Sequence, residues 1–185
     1  QQDVGCVQQG PIRINIEATW REHHQFHRTW SERLQAEIES MRTAKPDLIL
    51  ADTPYLAVAA GKAAAIPTVA LASFTWDLIL SEYQAPPGID TQSILQSIRQ
   101  AYGQADLGLR ITPSPALDCF QRIHVIPPIA EPAIAARPHL TEFLSLRPGN
   151  RTVLIGFGGV PLTSLPFETV ESLPGYQFLF DGSTP

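Results

Sequence analysis

Long apolar runs are missing from this chain. None approaches the ~20 residues that a bilayer-spanning helix needs, and the first residues lack the basic-then-apolar layout of a secretion signal. A cytoplasmic protein is therefore expected. Cysteine is scarce: Cys6 and Cys119 lie far apart, which excludes a disulfide framework and offers no metal-ligand spacing. Two reduced core thiols are the expectation. Clustered basic charge is lacking too, because 13 Lys and Arg are scattered among 18 Asp and Glu for a net charge of −5. A phosphate-backbone binder draws its affinity from grouped cations, so nucleic acid is not an expected partner. Neither a nucleophile elbow nor a Walker-type phosphate loop occurs, which leaves no self-sufficient hydrolase or kinase motif. Internal repeats and low-complexity segments are absent as well.

What is present is ordinary globular composition, 44% hydrophobic and 17% charged over 185 residues, enough for one large domain or two small ones. The chain opens on QQDVGCVQQG without an initiating Met and stops at FLFDGSTP, so both ends read as cuts in something longer. "DVGCVQ" reads as a short buried strand and "IRINI" as a second extended piece. From Glu17 the period changes. Trp20, His27, Trp30, Leu34, Ile38 and Met41 recur at helical spacing, which predicts one long helix ended by Lys45 and Pro46.

"PDLILAD" then reads as a strand buried on both faces, "TPYLAVAAGKAAA" as a helix with Pro54 at its first position, and "IPTVALAS" as the next buried strand. Strand, helix and strand in so short a span form a βαβ unit and predict a parallel sheet with right-handed crossovers. A helix over 94–102, a strand at "LGLRIT" and a strand at "HVIPPIA" continue the pattern. Residues 127–150 have linker composition, rich in Pro and Ala, with one short helix around 140–146. "NRTVLIGFGG", "SLPFETVESL" and "YQFLFDG" then begin a second strand–helix–strand system.

Open parallel sheets bind ligands outside the carboxyl ends of their strands, where loops converge and helix amino termini point inward. Three stretches take such positions: Asp52-Thr53-Pro54, Ser73 to Asp77, and Gly156 to Gly159. Asp52 either caps the following helix or grips a ligand hydroxyl. In "SFTWD", Ser73 and Thr75 can cap, Phe74 and Trp76 can be core, and Asp77 can satisfy helix amides. Together, however, aromatic faces beside an acid and hydroxyls suit a sugar, whose apolar ring stacks while carboxylates hold its hydroxyls. "GFGG" after "TVLI" is a turn open enough for backbone amides to approach phosphate, although its glycine spacing is not the dinucleotide fingerprint. His23 and His27 stand one helical turn apart with no third ligand at convincing spacing, so a packed or surface pair is expected and not a metal site.

From "DVGCVQ" to "FLFDG", and most specifically in "PDLILADTPYLAVAAGKAAAIPTVALASFTWDLILSEY", "IRQAYGQADLGLR" and "VLIGFGG", the sequence resembles a glycosyltransferase-like family of GT-B architecture. That family includes the amino-terminal region of plant L-arabinokinase and stand-alone bacterial members. The resemblance implies a partial amino-terminal Rossmann-like domain over 1–126, an interdomain linker over 127–150 and the start of a second Rossmann-like domain over 151–185. It implies transfer of a sugar from a nucleotide-sugar donor to an acceptor, with no metal or other cofactor required. Asp52, Thr53, Ser73, Phe74, Thr75, Trp76 and Asp77 would line the acceptor-side wall, and Gly156, Gly158 and Gly159 would form the donor-phosphate loop. Pro127 and Pro128 would mark the entry to the linker.

Family members normally begin with a strand and a Gly- and His-rich loop in the cleft. That loop and most of the second domain are absent here, so this piece is expected to be inactive alone, with sheet edges that recruit another chain as a homo-oligomer or domain swap. The resemblance also leaves open a non-catalytic sugar- or nucleotide-binding module, or an interaction domain with no small ligand.

Overall fold

The computed structural model describes residues 2–10, 13–132, 137–156 and 166–180, and they fall into two compact units. Residues 1–7 with 15–130 form the first, and 8–14 with 131–185 the second. The fold is α/β, and both sheets are parallel and Rossmann-like.

In the first unit, helix α1 (Ile16–Arg28) starts at Asn15, whose side chain accepts from the Ala18 amide, and helix α2 (Trp30–Ala44) follows at once. The apolar stripe is continuous across them, but Thr29 leaves helical geometry at φ −108° and ψ 19°, so the one long helix expected from periodicity is two. Lys45 closes α2 in the left-handed region at φ 50°.

Strand β1 (Ile49–Asp52), helix α3 (Tyr55–Ala63) and strand β2 (Thr68–Ala72) build the expected βαβ unit, with β1 and β2 parallel in the register Ile49 with Thr68. Helix α4 (Trp76–Ser81), helix α5 (Thr91–Tyr102), strand β3 (Leu107–Ile111) and strand β4 (Ile123–Ile126) complete the unit. The sheet order is β1-β2-β3-β4.

An order that runs one way across the sheet, with right-handed crossovers, brings every connection down on the same face. Two glycines mark that face. A Cβ on Gly61 of α3 would come within 2.2 Å of the Thr68 hydroxyl, and one on Gly108 of β3 within 2.7 Å of the Phe120 ring. Thr68, Ala70, Ala72 and Ala51 are buried there, with α3 packed on β1 and β2 and α5 packed on α3.

The opposite face is not sealed, which corrects the expectation that β1 is buried on both sides. Leu50 is 59% exposed, and burial alternates along β2. β1 is an edge strand. The amino-terminal "DVGCVQ" is also corrected: it is extended but not a strand. Its Val7 amide bonds to the Thr19 hydroxyl of α1, and the nearest pairing is an isolated Gln8–Ile14 bridge.

In the second unit, helix α6 (Arg137–Phe143) precedes strand β5 (Arg151–Ile155), helix α7 (Phe167–Glu171) and strand β6 (Tyr176–Phe180), with β5 and β6 parallel. Among the described residues no helix is long and apolar enough to cross a membrane.

Candidate functional site

The carboxyl rim of the first sheet is assembled around Thr53. Its φ of 70° is unusual for a β-branched residue, and three hydrogen bonds hold it there. The Thr53 amide donates to the Leu71 carbonyl at 3.3 Å, its hydroxyl to the Asp52 carbonyl at 2.7 Å, and its own carbonyl accepts from the Tyr102 hydroxyl at 2.6 Å. The same Tyr102 oxygen accepts from the Trp76 amide at 3.5 Å. One phenol at the end of α5 thus ties the turn after β1 to the turn after β2. Burial pushes the Tyr102 and Tyr55 hydroxyls well above their ordinary range, so both remain protonated donors.

The sequence-predicted residues separate by depth. Asp52 is exposed at the end of β1, and no side chain caps α3, whose N-cap is Pro54. Ser73, Phe74 and Trp76 are half-buried, with the two rings edge to face at 5.2 Å. The Trp76 indole donates to the Asp3 carboxylate at 2.9 Å.

Thr75 and Asp77 lie deeper. Asp77 is 3% exposed and accepts from Arg99 of α5 at 2.9 Å, which ties α4 to α5. The Cys119 thiol lies beside both residues. Burial, and then the Asp77 charge, push it up to about 11, so it stays a neutral packing group. Cys6 and Cys119 are both free thiols.

Several buried polar atoms in this region form no hydrogen bond: the Thr75 hydroxyl, the second Asp77 oxygen, Arg110 Nε in β3 and the Ser114 hydroxyl just beyond it. Each lies at or after the carboxyl end of β2 or β3. Among the described residues the only other unpaired buried side-chain atoms are the two ring nitrogens of His23 in α1, so four of the six lie at this end of the sheet.

Behind the rim lies an aromatic layer. His27 stacks on Trp30 and on Tyr55, and Phe26 meets all three rings edge on. His23 is fully buried, 6.0 Å from the Trp76 ring. Burial pushes both His23 and His27 down to about 4, with the neighbouring histidine as the second cause in each case. Among the described residues no group of three or more His, Cys, Asp or Glu side chains is placed to hold a metal.

In the second unit, Gly156 follows β5 as expected, while Gly158 and Gly159 lie outside the described residues. Tyr102, Arg99 and Asp3, which position the rim, were not legible as site residues. Each acts across 22 or more positions of sequence, and no local pattern announces a partner that far away.

In comparisons with known proteins, the chain is 26% identical over 172 residues to L-arabinokinase of Arabidopsis thaliana. That match covers 84% of this chain and 17% of the plant protein's length, and it is a distant relationship. No family model matches the chain, and no solved structure matches it.

Proposed function

We propose that this chain forms the acceptor-side wall of a GT-B-type glycosyltransferase, which moves a sugar from a nucleotide-sugar donor to an acceptor hydroxyl. One observation carries the reading: an exposed acid, a hydroxyl and two aromatic rings gather at the carboxyl ends of β1 and β2, above a layer of unpaired buried polar atoms. In this reading Asp52 and Ser73 hold acceptor hydroxyls and the Phe74 and Trp76 rings offer apolar faces. Thr53, fixed by Tyr102, shapes the turn, and Thr75 and Asp77 support it from below. In the same reading the sequence GFGG is assigned to the donor diphosphate, and of its glycines only Gly156 lies among the described residues. The relative's name is that of a sugar kinase, which favours a sugar as the ligand class.

A second reading is a sugar- or nucleotide-binding module without transfer chemistry. It is favoured by the fate of Asp77, whose carboxylate is committed to Arg99 and leaves Asp52 as the open acid of the two predicted rim carboxylates. The test is to titrate the full-length polypeptide with UDP-, GDP- and ADP-sugars, following both melting temperature and release of nucleoside diphosphate. A stabilising shift with release supports the transferase. A shift without release supports the module, and no shift with any of them removes both.

A further inference from the structure

Arginine keeps its charge at every pH a folded protein meets, so a guanidinium withdrawn from water needs an acid, a hydrogen-bond acceptor or an aromatic face beside it. Among the arginines whose side chains are described, only Arg33 and Arg110 are half-buried, and the others are exposed. Arg33 is satisfied. Its Nε donates to the Thr29 hydroxyl at 2.8 Å, and its guanidinium lies 4.6 Å over the Phe26 ring. Arg110 has none of this. Its Nε is buried without a hydrogen bond, and among the described residues it forms no ion pair and no contact with an aromatic face.

The surroundings of Arg110 point to a ligand as the missing partner. It is next to last in β3 and stands opposite Ala72, the last residue of β2, in the parallel register. Gly108, two residues earlier, lies against the Phe120 ring, so by strand alternation Arg110 shares that helix-side face. The connection from β3 to β4 crosses the same face. It carries Ser114, whose buried hydroxyl is also unpaired, and Cys119, whose thiol lies beside Thr75 and Asp77. Arg110 thus stands at the carboxyl end of the sheet, between the turn after β2 and the connection after β3. The buried acid of that region, Asp77, is held by Arg99 at 2.9 Å instead.

We propose that Arg110 is an anion subsite of the rim, taking a phosphate or carboxylate group of the acceptor, with the Ser114 hydroxyl as a second donor. A guanidinium offers parallel N–H donors whose spacing matches two oxygens of either group. Water bonded to Nε would leave the charge uncompensated, whereas an oxyanion cancels it. Granted the sugar reading of this rim, on which the ligand class rests, the acceptor is a uronic acid or a sugar phosphate and not a neutral sugar. Stability supplies an independent sign. A structural arginine stabilises the fold through its partners, while one kept for a ligand costs stability until the ligand arrives.

The Nε–Hε resonances of Arg110 and Arg33 test this by NMR of the full-length polypeptide, with inorganic phosphate or acetate replacing chloride at constant ionic strength. A saturable shift at Arg110 is expected, with Arg33 unmoved. A phosphate response assigns a sugar phosphate, and an acetate response a uronic acid. No response to either anion, or an equal response at Arg33, overturns the proposal. UDP is the third probe: displacement of the anion from Arg110 by UDP gives the subsite to the donor's diphosphate and overturns the acceptor assignment. Arg110→Met should abolish the rise in melting temperature that the effective anion gives the unmutated protein, and without anion it should melt no lower than that protein. A fall of more than about 4 °C without anion marks Arg110 as structural and overturns the proposal. Failure of the sugar reading is seen separately, as nucleotide sugars that give no stabilising shift whatever the anions do at Arg110.

Discussion

The two faces of the four-stranded sheet obey different rules, although neighbouring residues of the same strands supply them. Gly108 and Leu109 are adjacent in β3, yet the first lies against Phe120 with no room for a methyl group, while the second lies outside the core. On the helix side small residues (Ala51, Ala70, Ala72, Gly108) let α3 and the Phe120 ring approach closely. On the other side the larger Val69, Leu71 and Leu109 are half-buried and stand outside the core. Strand composition reports what a face is made to bury, and crossover handedness decides which face the chain itself can cover.

The largest effect expected from this contrast is on the packed side. Gly108→Val must displace the Phe120 ring and should cost about 3 kcal/mol, read as a lowered urea midpoint. The pH dependence comes next. His23 and His27 are held neutral in the fold down to about 4, while in the unfolded chain they titrate near 6.5. Above pH 6.5 both are neutral in either state and contribute nothing to the pH dependence. As pH falls from 6.5 toward 4 the unfolded chain gains protons that the fold refuses, so stability falls, by an amount of order 2 kcal/mol for His23. Urea midpoints at pH 7.5, 6 and 5 should decline in that order, and His23→Leu should flatten the decline.

Arg99→Gln takes the ion-pair partner from a buried carboxylate and should cost about 2 kcal/mol, discounted because the arginine is itself half exposed. Tyr102→Phe removes the link between the Thr53 carbonyl and the Trp76 amide and should cost about 1 kcal/mol. The smallest effect belongs to the other face, where Leu109 is half-buried and outside the core. In the 185-residue chain Leu109→Ala should cost less than ~1 kcal/mol. If it matched Gly108→Val in the same assay, the two faces would be equally packed and the contrast would be gone.

Much of the first unit was legible because its signals are local. The shift of period at Glu17, the Pro and Asp bounding "LILAD", and the Ala-rich helix between two apolar runs each name an element by themselves. The break at Thr29 was not legible, since the stripe of Phe26, Trp30 and Leu34 continues through it and only backbone angles interrupt the helix. "DVGCVQ" has the residues of a strand, but its Val7 amide is satisfied by the Thr19 hydroxyl and its Asp3 by the Trp76 indole, contacts that a sequence window cannot contain.

At the candidate site, the positions at the strand ends could be read, but depth could not. "SFTWD" places five promising side chains in a row. The turn into α4 then sends Thr75 and Asp77 inward and leaves Ser73, Phe74 and Trp76 partly open.

The central claim is that the rim after β1 and β2 meets a sugar-bearing ligand. Backbone and indole chemical shifts of the full-length polypeptide, followed while nucleotide sugars are added, test it most directly. The account predicts saturable shifts at Thr53, Ser73 and the Trp76 indole, with His124 and Val125 on the far edge strand unmoved. Saturable binding that leaves those three positions unchanged would contradict it.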